Sequence, residues 1–297
     1  MTLDSIHNMQ QLIEAAAGRG TAISEIVLEY EAENSQKSPE DVLEKMQANW
    51  LIMKQSVREG MTKEEGTMGG LVKGAASAVQ EAIAEGRIPE DRLSKTVLRA
   101  LAVAEVNASM GLIVAAPTAG SCGILPAVLL TAQEQEHYPD EKVVKALFTA
   151  AGIGMVIAEN ACIAGAEGGC QAECGSAAAM AAGALTELAG GTPEQVAQAA
   201  ALSLKNVLGL TCDPVAGLVE VPCIKRNSFL AVNALVASDL ALAGIPSVIP
   251  VDEVIGAMEE TGKLMSPALK ETARGGLAVT PTGDKIRKIL QKNSSEN

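Results

Sequence analysis

Apolar residues recur at helical spacing along most of this chain. After Ser38-Pro39-Glu40-Asp41, the residues Leu43, Met46 and Trp50 fall on one helix face, and after Thr192-Pro193-Glu194-Gln195 so do Val196, Ala199, Ala200 and Leu204. Each opening places a hydroxyl at the cap, proline at the first helical position and an acid or amide three residues after the cap. Further helices are predicted to start near Pro89, Pro139, Val251 and Asp284, and the first thirty residues read as an amphipathic pair broken around Gly18-Arg19-Gly20. Alternating strand patterns are scarce, so the predicted fold class is all-α. A single large helical body is expected, with Gly-rich loops forming the site.

Composition sharpens this picture. Apolar residues make up 48% of the 297 residues and aromatic ones only 2%, so Ala, Leu, Val, Ile, Met and Gly must fill the interior. Residues 1–65 are ordinary and charged, whereas about 100–245 are apolar, small and punctuated by glycine. The expectation is one catalytic domain over 1–297, with peripheral helices in 1–65 and the catalytic core in 66–285. Met68-Gly69-Gly70 and Gly275-Gly276 flank that core as places where backbone bends or approaches something closely. The tail from Lys292 is expected to fray. Gly111 to Leu130 has no charge over twenty residues, a length that could span a membrane, but Pro117, Gly120, Gly123 and Pro126 interrupt it. A loop between two buried helices is the better reading.

A formal net charge of -13 and a pI near 4.7 oppose binding to nucleic acid, whose affinity comes from Lys and Arg neutralising phosphates. Met1 to Gln10 lacks the layout of a secretory signal, which predicts a cytoplasmic protein. Six cysteines in that reducing compartment point to metal binding, redox chemistry or burial rather than to disulfides.

Three segments carry candidate chemistry. Ala116-Pro117-Thr118-Ala119-Gly120-Ser121-Cys122-Gly123 is a turn of small residues whose N–H groups and Thr118 and Ser121 hydroxyls suit a carboxylate or phosphate; the plainer reading is a turn buried for packing. It lacks the Gly-Lys-Ser/Thr of a Walker loop, and Gly165-Ala166-Glu167-Gly168-Gly169 lacks the spacing of a dinucleotide site. Cys170 and Cys174 are placed to share a helix face, while Cys212, before Asp213-Pro214, and Cys223, after Pro222, fall at helix ends or loops. Lys225 and Arg226 follow, and cations favour the thiolate that metals require. Two histidines and no Cys-x-x-Cys argue against structural zinc. Iron-sulfur clusters accept thiolates at long spacings.

Taken together, the turn, Gly165-Ala166-Glu167-Gly168-Gly169-Cys170-Gln171-Ala172-Glu173 and Cys212-Asp213-Pro214-Val215-Ala216-Gly217-Leu218-Val219-Glu220-Val221-Pro222-Cys223 resemble the iron-sulfur L-serine dehydratase family, in particular the α subunit of its two-subunit form. The resemblance runs over most of residues 60–285. It implies a 4Fe-4S cluster on Cys170, Cys212 and Cys223, whose gaps of 41 and 10 residues match that family's pattern. Cys122, Cys162 and Cys174 are left to packing or supporting roles. It also implies that the substrate is L-serine, that Thr118, Ala119, Gly120 and Ser121 bind its carboxylate, and that a separate β subunit completes a hetero-oligomer. The implied reaction is deamination of L-serine to pyruvate and ammonium, with the cluster acting as a Lewis acid on the substrate hydroxyl.

Removing the Cα proton needs a base within hydrogen-bond reach, and the candidates are Lys205, Ser121 in alkoxide form or a histidine from the partner. Ser203-Leu204-Lys205 also invites a pyridoxal-phosphate reading, which fails for want of a Gly-rich phosphate cup and α/β alternation. Two other functions stand beside serine deamination: an iron-sulfur L-cysteine desulfidase, and a helical scaffold subunit without catalysis.

Overall fold

The helix caps form as their residue types dictate. The side chain of Ser38 accepts the Asp41 N–H at 3.1 Å, with Pro39 in the first turn, and Thr192 and Gln195 form a reciprocal capping box. The computed structural model describes residues 6–63 and 65–295; residues 1–5, 64, 296 and 297 lie outside that set, and with them half of the N-terminal segment read above. Thirteen α-helices follow one another among the described residues: α1 (Met9–Arg19), α2 (Ile23–Ser35), α3 (Pro39–Met61), α4 (Ala75–Ala84), α5 (Arg92–Ala108), α6 (Ile124–Glu136), α7 (Asp140–Asn160), α8 (Gly165–Gly168), α9 (Ser176–Leu188), α10 (Pro193–Lys205), α11 (Cys223–Leu242), α12 (Val251–Leu264) and α13 (Pro281–Ser295). No strand occurs among these residues, only an isolated parallel bridge between Cys212 and Lys270, so the fold is all-α.

The centre of the molecule is α9, which packs against α6, α7, α10 and α11. Its sequence is apolar all round, and all but one of its thirteen residues are buried, as a helix inside a large core must be. Small residues set the spacing: a Cβ on Gly183 would stand 2.2 Å from Ile153 Cδ1, and one on Gly60 of α3 would stand 2.1 Å from the Ala102 carbonyl oxygen of α5. The main core runs from Ile6 to Met258 and includes Trp50, whose indole N–H donates to Asp140 at 3.0 Å.

Some boundaries differ from those predicted. The helix expected near Pro89 starts at Arg92, because Asp91 and Ser94 make a capping box there, and the one expected near Asp284 starts at Pro281. That last helix runs to Ser295, past the predicted fraying point at Lys292. The apolar stretch 111–130 is a loop only at first, then a 3-10 turn (Ala119–Ser121), and from Ile124 it is α6. One helix among the described residues, α7, is long and apolar enough to cross a membrane, and 67% of its most apolar window is buried inside the fold.

Candidate active site and metal-binding cluster

The predicted turn and the predicted thiols come together around the entry to α9. Cys170 is buried between α8 and a π-helical turn (Gln171–Gly175) that feeds directly into α9. Such turns widen the helix by one residue and recur at functional sites. Glu173 lies on this turn and accepts a 2.5 Å hydrogen bond from the Thr118 hydroxyl, which joins the cysteine segment to the 116–123 turn across 55 residues of sequence. Thr118 Oγ1 is also 3.1 Å from Ser121 Oγ. Thr118 has one hydrogen and gives it to Glu173, so in the second bond Ser121 is the donor.

Several groups fix the turn. The Asn227 side chain of α11 accepts the Gly123 N–H at 3.0 Å and donates to the Gly120 carbonyl at 2.8 Å. Cys122 N–H goes to the Ala119 carbonyl, so two of the N–H groups expected to face a ligand are already taken. Gly120 has no room for a side chain, since a Cβ there would lie 2.6 Å from Glu173 Oε1. Ser121 is fully buried, and Ala119 is exposed.

Cys212 is held by its backbone: its N–H donates to the Leu269 carbonyl at 2.9 Å, and its carbonyl accepts the Glu271 N–H at 2.8 Å. Cys223 is the first residue of α11, after the cis bond Val221-Pro222. Arg226, one turn further on, donates to the Thr211 carbonyl at 2.7 Å and to Asp213 at 2.8 Å. Asp213 in turn accepts the Leu277 N–H. Lys225, the other cation noted in the sequence, is exposed.

The electrostatics show how the thiols influence one another. A hydrogen bond from Cys174, opposed by burial and helped by the nearby Arg226 charge, holds the Cys170 thiol below its ordinary pKa. Cys174, the donor, is pushed well above it. Burial and then the charge on Cys170 push Cys223 up to about 12, and the same two causes raise Cys212, with Glu271 adding to them. Burial raises Glu173 as well, the bond from Thr118 opposes this, and Glu271 adds to the rise. Cys170 is thus the thiol readiest to ionise, while Cys174, Cys212 and Cys223 stay protonated beside it.

Among the described residues, Cys170, Glu173 and Cys174 have ligand atoms within 4.8 Å of one another and could hold a metal ion. Cys174, expected to pack or to play a supporting role, thus stands directly beside Cys170, while the loop residue Cys212 and Cys223 at the start of α11 enter the same electrostatic neighbourhood. Cys122 packs with Val57 and Val103, and the Cys162 sulfur sits against the Ala164 backbone. Lys205 Nζ donates to the Ser247 carbonyl at 2.6 Å and to its hydroxyl at 3.2 Å, tying α10 to the segment before α12. A cleft of about 990 Å³ is lined by Met68, Gly69, Leu218, Arg274 and Arg287, and none of the thiols or turn residues lines it.

Sequence reasoning passed over Glu173, Asp213, Asn227 and Glu271. Glu173 and Asp213 were visible as acids inside apolar, cysteine-bearing motifs, a position where a buried charge needs a partner. Asn227 and Glu271 had no local signal.

The profile of the family described as "Serine dehydratase alpha chain" matches residues 18–278. The chain is 48% identical over 287 residues to the "Probable L-serine dehydratase, alpha chain" of Bacillus subtilis (strain 168), covering 95% of this chain and 94% of that one. It is 46% identical over 288 residues to the "L-serine dehydratase, alpha chain" of Peptoniphilus asaccharolyticus, covering 97% and 99%. Against the "L-serine dehydratase" of Streptomyces coelicolor it is 45% identical over 273 residues, which are 91% of this chain and 60% of the other. The chain belongs to the serine dehydratase alpha chain family.

Proposed function

We propose that this chain is the catalytic subunit of an iron-sulfur L-serine ammonia-lyase, which converts L-serine to pyruvate and ammonium in the cytoplasm. The observation that carries the reading is the bond from Thr118 to Glu173, because it sets the carboxylate-binding turn against the π-helical turn that directly follows Cys170. The names of relatives matched along nearly their whole length support the substrate. The domain reading follows: residues 1–297 act as one catalytic domain, with 1–65 as peripheral helices around a core in 66–285.

The donor set fits a 4Fe-4S cluster. Cys170, Cys212 and Cys223 are soft sulfur ligands from three separate segments, mutually coupled in charge and neighboured by Arg226. Gly165 leaves space beside Cys212, since a Cβ there would lie 3.2 Å from its sulfur. When bound, the cluster supplies a Lewis acid that eases departure of the substrate hydroxyl. The protein's own part is to place the substrate. Thr118 to Ser121 receive its carboxylate, and Asn227 holds that turn by bonds to both Gly120 and Gly123. The bases left for the Cα proton are Ser121 in alkoxide form and a histidine from the partner, whereas Lys205 is engaged with Ser247. The aminoacrylate released tautomerises and hydrolyses in water.

A separate β subunit supplies the part of the one-chain relative that this chain does not cover, and the active species is a hetero-oligomer. The test is anaerobic reconstitution of the chain with iron, sulfide and its partner. Broad iron-sulfur absorption with pyruvate release from L-serine is expected. Sulfide release from L-cysteine with no pyruvate from L-serine identifies a desulfidase instead, and unchanged iron content and activity in Cys212→Ser identifies a scaffold.

A further inference from the structure

We propose that Glu173, with Glu271 beside it, receives the α-ammonium of the substrate and restricts the site to amino acids; this rests on the serine-deaminating reading above. The Glu173 carboxylate lies between the two glycines Gly120 and Gly165. Its Oε1 accepts the Thr118 hydroxyl, and a Cβ on Gly120 would be 2.6 Å from Oε1 and 3.0 Å from Oε2, on the side of the carboxylate-binding turn. Oε2 also reaches the gap left by Gly165. A Cβ on that glycine would be 3.4 Å from Glu173 Oε2, 3.3 Å from Glu271 Oε2 and 3.2 Å from Cys212 Sγ. Two carboxylates and a thiol therefore border a space that any other residue type would fill.

The placement matches the shape of the substrate. In an α-amino acid the carboxylate and the ammonium are attached to one carbon, so a group that touches the carboxylate-binding turn is within reach of the ammonium. An ammonium offers three N–H donors and a positive charge, and carboxylate oxygens are the acceptors that suit it best. The two acids arrive independently. Glu173 comes from the π-helical turn, and Glu271 is brought in by its backbone N–H bond to the Cys212 carbonyl. With two carboxylates on its border, the gap discriminates against hydroxy acids that lack the amine, because they leave the buried Glu173 carboxylate without a counter-charge.

The test compares L-serine with 3-hydroxypropionate, which is the same molecule without its amine, in the reconstituted complex. Gln at position 173 still accepts from Thr118, so Glu173→Gln keeps the turn and removes the charge. Its KM for L-serine should rise about 30-fold, the size of a lost charge-assisted hydrogen bond, while kcat and the Ki for 3-hydroxypropionate each stay within about fivefold. Glu271→Gln, on an exposed loop that any folded variant tolerates, should raise KM about fivefold, with that Ki unchanged. Iron per chain is measured in every variant. An equal rise in serine KM and hydroxypropionate Ki overturns the inference in favour of turn positioning, and loss of iron in Glu173→Gln overturns it in favour of metal ligation. An unchanged serine KM also overturns it. A wild-type complex that releases no pyruvate from L-serine removes the functional reading itself, and the inference with it.

Discussion

The Arg226–Asp213 pair shows what single residues contribute to the site. Asp213 is almost wholly buried, and its carboxylate is satisfied by Arg226 on one oxygen and by the Leu277 N–H on the other. Removing one partner of a buried pair strands the other charge, which costs about 3 kcal/mol or more. Arg226→Gln should therefore lower the unfolding free energy of the metal-free chain, read from urea denaturation, by that amount and reduce iron retention after reconstitution, while Arg226→Lys should recover part of both. Lys205 separates two roles in a similar way. If its bonds to Ser247 are its whole contribution, Lys205→Met leaves kcat within about threefold and costs about 1 kcal/mol of stability. A fall in kcat of a hundredfold would return it to the chemistry. Among the cysteines, Cys212→Ser should abolish iron binding, whereas Cys122→Ser, in a core with Val57 and Val103, should leave iron content intact. The proposed ligands Cys170, Cys212 and Cys223 were legible only because their gaps and flanks resemble those of a known family. The acid that connects them to the turn was not, because Thr118 and Glu173 are joined only by the fold.

Helices and their junctions explain which boundaries the pattern could foresee. Caps are local, so Ser38-Pro39 and Thr192-Pro193 announced α3 and α10 at the residues where they begin. The π-helical turn at Gln171–Gly175, which follows Cys170 and carries Glu173 and Cys174 into α9, has no such local signature. Element junctions also carry a pH dependence. Asp140, at the start of α7, accepts from Trp50 and Lys54 of α3 and from Gln133 of α6. Burial alone would raise its pKa, but bonds from Lys54, Gln133 and Trp50 lower it from 3.8 to about 2. A lowered carboxylate pKa stabilises the folded form fully above about pH 4, and the contribution disappears as pH falls through 2. Because the side chain is nearly one-third exposed, the contribution is discounted to about 1–2 kcal/mol. Urea unfolding of Asp140→Asn against wild type should show that difference at pH 6 and almost none at pH 2.

At the scale of the whole molecule, the proposed site is assembled from four segments that are distant in sequence. The turn at 116–123, the π-helical turn, the loop at Cys212 and the start of α11 converge, and Ala119 and Glu271 remain exposed at that meeting place. An exposed rim is poor at excluding water, and a site that removes a weakly acidic proton works best when water is kept out. The relative from Streptomyces coelicolor has the remaining 40% of its length outside the match, whereas the two alpha chains match almost end to end. On the proposed two-subunit reading, the partner chain is expected to cover that rim. If so, metal binding and catalysis separate: the isolated chain should take up iron and sulfide with the same absorption as the complex, because every thiol is its own. Its pyruvate release from L-serine should be less than about one-hundredth of that of the complex, and titration with the partner should restore it to saturation at a fixed ratio. Full activity in the isolated chain would show that the rim at Ala119 and Glu271 needs no cover, and absent iron uptake would show that the partner contributes a ligand.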